Sequence, residues 1–182
     1  MNSRLVDLET ILEDVRNSPT EVGKILLIAV RPANGERLVV DQARMSTETG
    51  LEGDNWLDRS ADKDNVSRHN QLTLMNSRFA DAITPDGKGW ELAGDQLYVD
   101  FDISLENAPA GTLLQVGGAT IRISEEPHTG CAKFVRRFGR EMLKMTQTDV
   151  GKDLRLRGVN ASVIESGTVC TGDSIRRVGF DD

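Results

Sequence analysis

The stretch GTLLQVGGATIRIS, residues 111–124, consists of two short apolar runs separated by a pair of glycines. The Gly117-Gly118 pair can supply the positive φ angles of a two-residue turn, so this stretch predicts a β-hairpin. A related arrangement follows later, where NASVIE (160–165) and SIRRV (174–178) enclose the turn-rich segment SGTVCTGD. Short strands joined by tight turns are typical of a β-barrel or a β-sandwich.

The segments on the N-terminal side extend this pattern. KILLIAVR (24–31) and RLVVDQARM (37–45) predict two further strands, and the alternation of apolar residues in LYVDFDIS (97–104) predicts a half-buried one. Residues 5–15 instead repeat their apolar side chains at helical spacing, and Asn17-Ser18-Pro19 ends that pattern. We therefore expect a mainly β fold with short helices, preceded by a helical arm over residues 1–20.

Composition restricts the classes of partner. The chain of 182 residues carries 22 Lys and Arg against 29 Asp and Glu, a formal net charge of −7. Such a balance argues against broad attraction to nucleic acid or to an acidic membrane surface. No apolar run approaches the roughly 20 residues that cross a bilayer, and the acidic N-terminus has no signal-peptide core. We expect a cytoplasmic protein with no nucleic-acid or membrane partner.

The scarcest reactive side chains lie in EEPHTGCAKFVRRFGR, residues 125–140. Thr129 is a plausible N-cap for a helix running through CAKFVRRFGREMLKM, which would place Cys131 in the first turn of that helix. The helix macrodipole and free amide groups favour a thiolate there, and His128 and Lys133 could add to this effect. These residues make Cys131, tuned by His128 and Lys133, the first candidate for chemistry.

Positive charge is concentrated in the same region. Residues 128–145 carry a local charge of +4, whereas residues 81–110 carry −6. A cationic patch beside a thiol would suit an anionic small molecule that carries phosphate. The alternative is that these cations form the ordinary solvated face of an amphipathic helix, whose other face presents Phe134 and Phe138.

The remaining candidates carry less information. Cys170 has no nearby cation and is interpreted as a buried small hydrophobe, and nothing local assigns a role to His69. A zinc site from both histidines and both cysteines is conceivable, but only His128 and Cys131 have the spacing of a ligand pair. The dipeptides Gly-Asp at 53–54, 94–95 and 172–173 are interpreted as tight turns. No hydrolase elbow, Walker loop or dinucleotide fingerprint occurs.

An ordered set of segments resembles the MOSC domain, named for the molybdenum cofactor sulfurase C-terminal region. The segments run from residue 24 to residue 178 and are GLEGDNW (50–56), HNQLTLM (69–75), residues 94–124 quoted in part above, PHTGCAKF (127–134) and RLRGVNASVIESGTVCTGDSIRR (155–177). The last is the most specific, because an Arg-Gly pair leading into a strand, a Gly turn and Gly-Asp follows the ending of that family.

The resemblance implies a closed β-barrel of the pyruvate kinase barrel type over residues 21–182. It also implies molybdenum cofactor (molybdopterin) binding and sulfur carriage, with Cys131 holding a persulfide or bonding the metal. Soft thiolate sulfur suits such a metal centre. Arg136, Arg157 and Asn160 are the implied cofactor-binding residues, where they would hold the pterin phosphate. The resulting activity would be that of a sulfurtransferase or of a molybdenum-cofactor-dependent oxidoreductase.

The chain also departs from some relatives. Only residues 1–20 precede the first strand, so we expect no pyridoxal-phosphate desulfurase domain, and sulfur or electrons would come from another protein, such as a cysteine desulfurase. WELAGDQLYVD (90–100) replaces a Phe-Gly-Glu-Asn-Leu type of motif found in stand-alone relatives that reduce N-hydroxylated bases, which weakens that assignment. A module that binds or delivers the cofactor without turnover, and a structural domain with an inert Cys131, are the alternatives.

Overall fold

A computed structural model of the chain describes residues 8–59, 62, 66–130 and 132–179. Its α-helices are α1 (Leu8–Arg16), α2 (Ser77–Ile83), α3 (Ala132–Gln147) and α4 (Asp149–Asp153). Its strands are β1 (Val22–Val30), β2 (Leu38–Val40), β3 (Gln42–Ser46), β4 (Gly50–Leu51), β5 (Leu72–Asn76), β6 (Leu97–Asp100), β7 (Leu113–Val116), β8 (Ala119–Ile123), β9 (Val159–Glu165), β10 (Gly167–Cys170) and β11 (Ser174–Arg177). Short 3₁₀ helices span Arg68–Asn70, Pro85–Gly87 and Trp90–Ala93.

Seven of the described strands close into a barrel in the order β11-β7-β8-β9-β5-β6-β1, because β1 also pairs with β11. The pairing of β5 with β6 is parallel and the other pairings of the ring are antiparallel. Strand β2 extends β1 on one side, and β10, β3 and β4 form a separate sheet. The predicted closed barrel with few helices is confirmed.

The two sequence hairpins fold differently. Strands β7 and β8 pair directly across the glycine turn, where Val116 faces Ala119 and Gly117 has a φ of 55°. The segment 166–173, expected to be turn-rich, contains strand β10, which pairs with β3 outside the ring. The first prediction is therefore confirmed, and the second missed a strand because its partner lies more than a hundred residues away in sequence.

Apolar side chains of the barrel strands contribute to two separate hydrophobic cores. On β6, Leu97 and Val99 point into the barrel core, while Tyr98 packs in an outer core beneath the helices. Tyr98 is fully buried, so the prediction that this strand is half-buried is wrong. The reason is that the helices cover the outer face of the barrel here, together with the buried side chains Phe79 and Phe134.

The helices agree with the sequence in part. Helix α1 buries Ile11 and Val15, as its spacing predicts, but Leu8 of the same predicted face is exposed, and Leu5 lies outside the described residues. The division of the chain into an arm and a barrel domain stays a prediction. Helix α3 is interrupted at Gly139, whose φ of 87° and ψ of 165° belong to a region that only glycine occupies readily. None of the described helices combines the length and apolar character that a membrane span requires.

Candidate functional site

A cationic cavity of about 540 Å³ opens between the barrel and the start of helix α3. It is bounded by the segment that follows β1, by Ala93 and Gly94 at the end of a 3₁₀ helix, and by His128 and Thr129 in the segment before α3. Among the described residues, seven cationic side chains line it: Arg31, Arg37, Arg59, Lys133, Arg136, Arg137 and Arg157. We call Arg31 and Arg157 the barrel wall of the cavity, and Lys133, Arg136 and Arg137 its helix wall.

Arg31 is held by a buried carboxylate. Its Nε lies 2.6 Å from Asp54 Oδ2 and its Nη2 lies 2.9 Å from Asp54 Oδ1, which is a bidentate pair. The backbone amides of Arg31 and Trp56 also donate to the same carboxylate. Since the Asp54 side chain is fully buried, this pair fixes the guanidinium at the end of β1.

Arg157 is held by a second buried carboxylate. Its Nη1 donates to Asp95 Oδ2 over 2.7 Å, its Nη2 donates to the Ala93 carbonyl oxygen, and its guanidinium lies 5.0 Å from the centre of the Phe134 ring. The next residue, Gly158, has a φ of 98°, and any Cβ there would meet the Leu74 carbonyl oxygen. Only glycine therefore lets the chain bring Arg157 to this position.

His128 completes the buried cluster. Its Nδ1 lies 3.3 Å from Asp95 Oδ1, but the two atoms do not have hydrogen-bonding geometry. Burial lowers the pKa of His128 to about 4, and the charges of Arg157 and Arg31 act in the same direction, against the opposing effect of Asp95. The ring is therefore neutral at pH 7, and its contact with Asp95 is not an ion pair at that pH.

The helix wall is held much less firmly. Lys133 donates to the Asn34 side-chain oxygen over 2.8 Å, and Arg137 donates to the Leu92 carbonyl oxygen. Among the described residues, no carboxylate pairs with Lys133, Arg136 or Arg137, and all three side chains are exposed. Their positive charge is thus available to an anion.

Two further arginines of the cavity, Arg37 and Arg59, have lowered pKa values because they are partly buried among other positive charges. Burial lowers the pKa of Arg37 below its ordinary value, and the charges of Arg31 and Arg137 lower it further. Burial also lowers the pKa of Arg59, followed by the effect of Arg31. An anion bound between these groups would raise both pKa values again, because a neighbouring negative charge favours the protonated form.

Polar atoms without partners cluster at the same cavity. Arg37 Nε, Asn55 Oδ1, His128 Nδ1 and Arg157 Nε are buried, and none has a hydrogen-bond partner within the described part of the chain. All four residues line the cavity. Buried donors and acceptors are costly when unpaired, so their grouping indicates a place where a polar ligand completes the structure.

The structure brings together four of the predicted site residues. His128, Lys133, Arg136 and Arg157 line the cationic cavity. Asn160 does not, since it lines two neighbouring depressions and donates to the Glu126 carbonyl oxygen. Cys131 lies outside the described residues, although Thr129 and Ala132, on either side of it in sequence, line the cavity.

Helix α3 is described from Ala132 onward, and the expected cap at Thr129 stays a prediction because Cys131 lies outside the described residues. Cys170 is only half-buried and its Sγ lies 3.7 Å from Gln42 Oε1, so its interpretation as a buried hydrophobe is wrong. The reason is that β10 belongs to the small sheet outside the ring. His69 is exposed, and the described residues contain no group of three metal-ligating side chains.

Sequence reasoning missed the barrel-wall residue Arg31 and both buried carboxylates. The Gly-Asp dipeptides at 53–54, 94–95 and 172–173 do form turns with positive φ at each glycine, as predicted. Asp173 serves its own turn by accepting from the Cys170 amide, whereas Asp54 and Asp95 each hold an arginine of the cavity. The only signal was the repetition of an acidic residue after a turn glycine, which does not distinguish these two uses.

Comparison with solved structures shows the same fold. YiiM from Escherichia coli shares 21% identity and a TM-score of 0.55, over 86% of this chain and 70% of that one. YiiM from Geobacillus stearothermophilus shares 14% identity and a TM-score of 0.57, over 86% and 75%. The YuaD protein from Bacillus subtilis shares 15% identity and a TM-score of 0.53, over 85% and 94%. No curated protein sequence matches the chain.

The sequence model of one family matches the chain over residues 65–176, more than half of its length, and its description is MOSC domain. The matched range includes His128, Cys131 and Arg157, whereas Arg31 and Asp54 lie before it. The seven-stranded closed barrel agrees with this match. The chain therefore belongs to the MOSC domain family, which is associated with molybdenum cofactor binding.

Proposed function

We propose that this protein binds the molybdenum cofactor in the cationic cavity and uses Cys131 to carry sulfur or to bond the metal. The observation that carries the proposal is the concentration of seven cationic side chains in one cavity, where Lys133, Arg136 and Arg137 pair with no carboxylate among the described residues. The lining also includes Thr129 and Ala132, which lie on either side of Cys131 in sequence. A phosphate group would meet several guanidinium donors there, an arrangement that Arg provides better than Lys.

The residues present fit such a cofactor. Its phosphate would be held by Arg136 and by Arg37, whose buried Nε has no partner within the described part of the chain, while Arg157 is kept in place by Asp95. Asn55 Oδ1, which likewise has no partner among those residues, offers an acceptor for a ring nitrogen or a hydroxyl group. When bound, the cofactor supplies a metal centre for oxygen-atom or sulfur chemistry, and the chain supplies its anchoring and a thiol.

Sulfur carriage by this chain would be an exchange without net oxidation. The Cys131 thiolate attacks the outer sulfur of a donor persulfide, the donor S–S bond breaks, and the donor leaves as a thiolate. Cys131 then holds a persulfide, with the transferred proton still on its outer sulfur. The positive helix wall would favour the thiolate form of the attacking group, whereas His128 is neutral at pH 7 and adds no charge of its own.

Mass spectrometry tests the sulfur-carrying step. Wild-type protein treated with a persulfide donor should gain one sulfur atom, about 32 Da, in the peptide that contains Cys131. Cys131→Ser should remain unlabelled there, and Cys170→Ser should label like wild type, which makes it the matched control. Labelling of Cys131→Ser at the wild-type level would refute the step.

A binding module without turnover is the second candidate, and it is favoured by the cavity itself, whose cations are present whatever Cys131 does. On this reading, cofactor affinity survives Cys131→Ala but falls on removal of Arg136 or Arg157. Metal analysis of protein from a host that makes molybdenum cofactor, with and without Cys131→Ala, separates the two candidates. Loss of molybdenum only in Cys131→Ala favours metal bonding by the thiol.

A further inference from the structure

A second depression, of about 600 Å³, lies along helix α3 and adjoins the cavity described above. Its lining is mainly apolar and is framed by cations. The residues that form it are Ala132, Val135, Arg136, Arg140, Leu143 and Lys144.

The depression adjoins the cationic cavity. Ala132 and Arg136 line both, so the first turn of α3 separates the two. Leu143 packs against Gly130, since a Cβ at that glycine would collide with the leucine side chain. A macromolecule seated on this depression would therefore contact the segment beside which the cavity opens.

The positive charge around the depression favours an acidic binding partner. Lys144 bonds Glu141 over 2.9 Å, but Arg136 and Arg140 have no carboxylate partner among the described residues. This positive rim belongs to a chain whose net charge is −7. Two copies meeting through this face would oppose like charges, and nucleic acid would leave the apolar floor unused. A protein surface with apolar side chains inside an acidic rim is complementary to both features.

We propose that this face of α3 is the docking surface for an acidic partner protein that delivers sulfur to the adjacent cavity. The identity of the partner as a sulfur donor rests on the proposed function, whereas the surface itself rests on the apolar floor and the cationic rim. Arg140 and Val135 line the depression and not the cationic cavity, so both can be changed without touching the cofactor-binding residues.

Direct binding tests the surface. The probe is an acidic cysteine desulfurase from the same organism, and its affinity for the full chain is measured at low and high salt. Arg140→Glu should weaken binding about tenfold or more at low salt, and high salt should reduce the difference. Arg122→Glu, at an exposed position on β8, is the matched charge reversal and should change affinity by less than about twofold.

Val135→Asp removes part of the floor instead of the rim and should also weaken binding. Failure of the desulfurase to bind wild type at low salt overturns the proposal, as does equal binding by wild type, Arg140→Glu and Val135→Asp. The rate of sulfur gain at Cys131 is then compared for the desulfurase and for cysteine persulfide. Arg140→Glu should slow only the first. If the desulfurase binds as expected but neither donor labels Cys131, the sulfur-carrying function fails and the docking surface stands.

Discussion

The two walls of the cationic cavity hold their positive charges in opposite ways. On the barrel wall, Arg31 and Arg157 are at most 10% exposed, and each bonds a carboxylate that is fully buried. On the helix wall, Lys133, Arg136 and Arg137 are exposed and bond neutral oxygens or nothing among the described residues. A buried charge must be paired to be tolerated, whereas an exposed one is already stabilised by water.

This difference indicates that the two walls have different roles, one in stability and the other in ligand binding. The barrel wall should contribute mainly to stability, because removing one partner leaves an uncompensated charge in the interior. The helix wall should contribute mainly to anion affinity, because its charges pair with no carboxylate among the described residues. Substitutions on each wall should therefore affect different quantities, namely stability on the barrel wall and anion affinity on the helix wall.

The largest effect is expected at Asp54. Asp54→Asn keeps the size of the side chain but leaves the charge of Arg31 unpaired, and it weakens the bonds from the Arg31 and Trp56 amides. We expect the free energy of unfolding to fall by about 3–5 kcal/mol. Urea unfolding at pH 7 measures this loss.

Glu52→Gln is the control for Asp54→Asn. Glu52 faces Arg44 at 3.6 Å, and both side chains are more than half exposed. Its replacement should cost less than about 1 kcal/mol, as is usual for surface pairs. Equal losses in the two variants would mean that the barrel wall is not a buried ionic structure.

A smaller change in the free energy of unfolding is expected when the pH is lowered, because His128 is buried in its neutral form. The pKa of His128 is about 4 in the folded protein, below the ordinary value of 6.5, so the unfolded chain binds the proton first. Stability should therefore fall as the pH decreases from about 6.5 to about 4, and the contribution of this group is at most about 3 kcal/mol. Above pH 6.5 the contribution is constant, because the ring is neutral in both states.

His128→Gln isolates this contribution from the carboxylates that titrate in the same range. The variant cannot take up a proton at this position, so its loss of unfolding free energy between pH 7 and pH 4 should be smaller than that of wild type. If urea unfolding gave the same loss of unfolding free energy between pH 7 and pH 4 for wild type and His128→Gln, His128 would not be buried in its neutral form.

The sequence predicts the barrel much better than the cavity. The hairpin at Gly117 follows from its glycine pair, and the strands around Ile25 and Val159 follow from short apolar runs next to turn residues. Tyr98 was misjudged because burial of the second face of its strand depends on helices that come from elsewhere in the chain. The local sequence pattern of a strand carries no information on whether helices cover its outer face.

The local sequence points to only one wall of the cavity, and on the other wall Arg157 alone is implied, by the resemblance to the MOSC domain. The cluster of cations after His128 is contiguous in sequence and pointed to the helix wall. Arg31 and Arg157 are far from it in sequence and reach it because the segment after β1 and the segment before β9 both line the cavity. Their partners, Asp54 and Asp95, have the local sequence of ordinary turn residues, so only the three-dimensional arrangement distinguishes them.

The smallest effect on stability and the sharpest test of the comparison come from the helix wall. Arg136→Gln and Arg137→Gln should each lower the affinity for inorganic pyrophosphate about tenfold at low salt, since each removes a charge-assisted donor. The free energy of unfolding should change by less than about 0.5 kcal/mol, because both side chains are exposed. Arg122→Gln on β8 removes the same charge from an exposed position outside the cavity and should leave both quantities near their wild-type values. Calorimetric titration and urea unfolding of the same samples measure the pair. A stability loss as large as that of Asp54→Asn would place these arginines with the barrel wall, and unchanged affinity would remove the helix wall from the anion site.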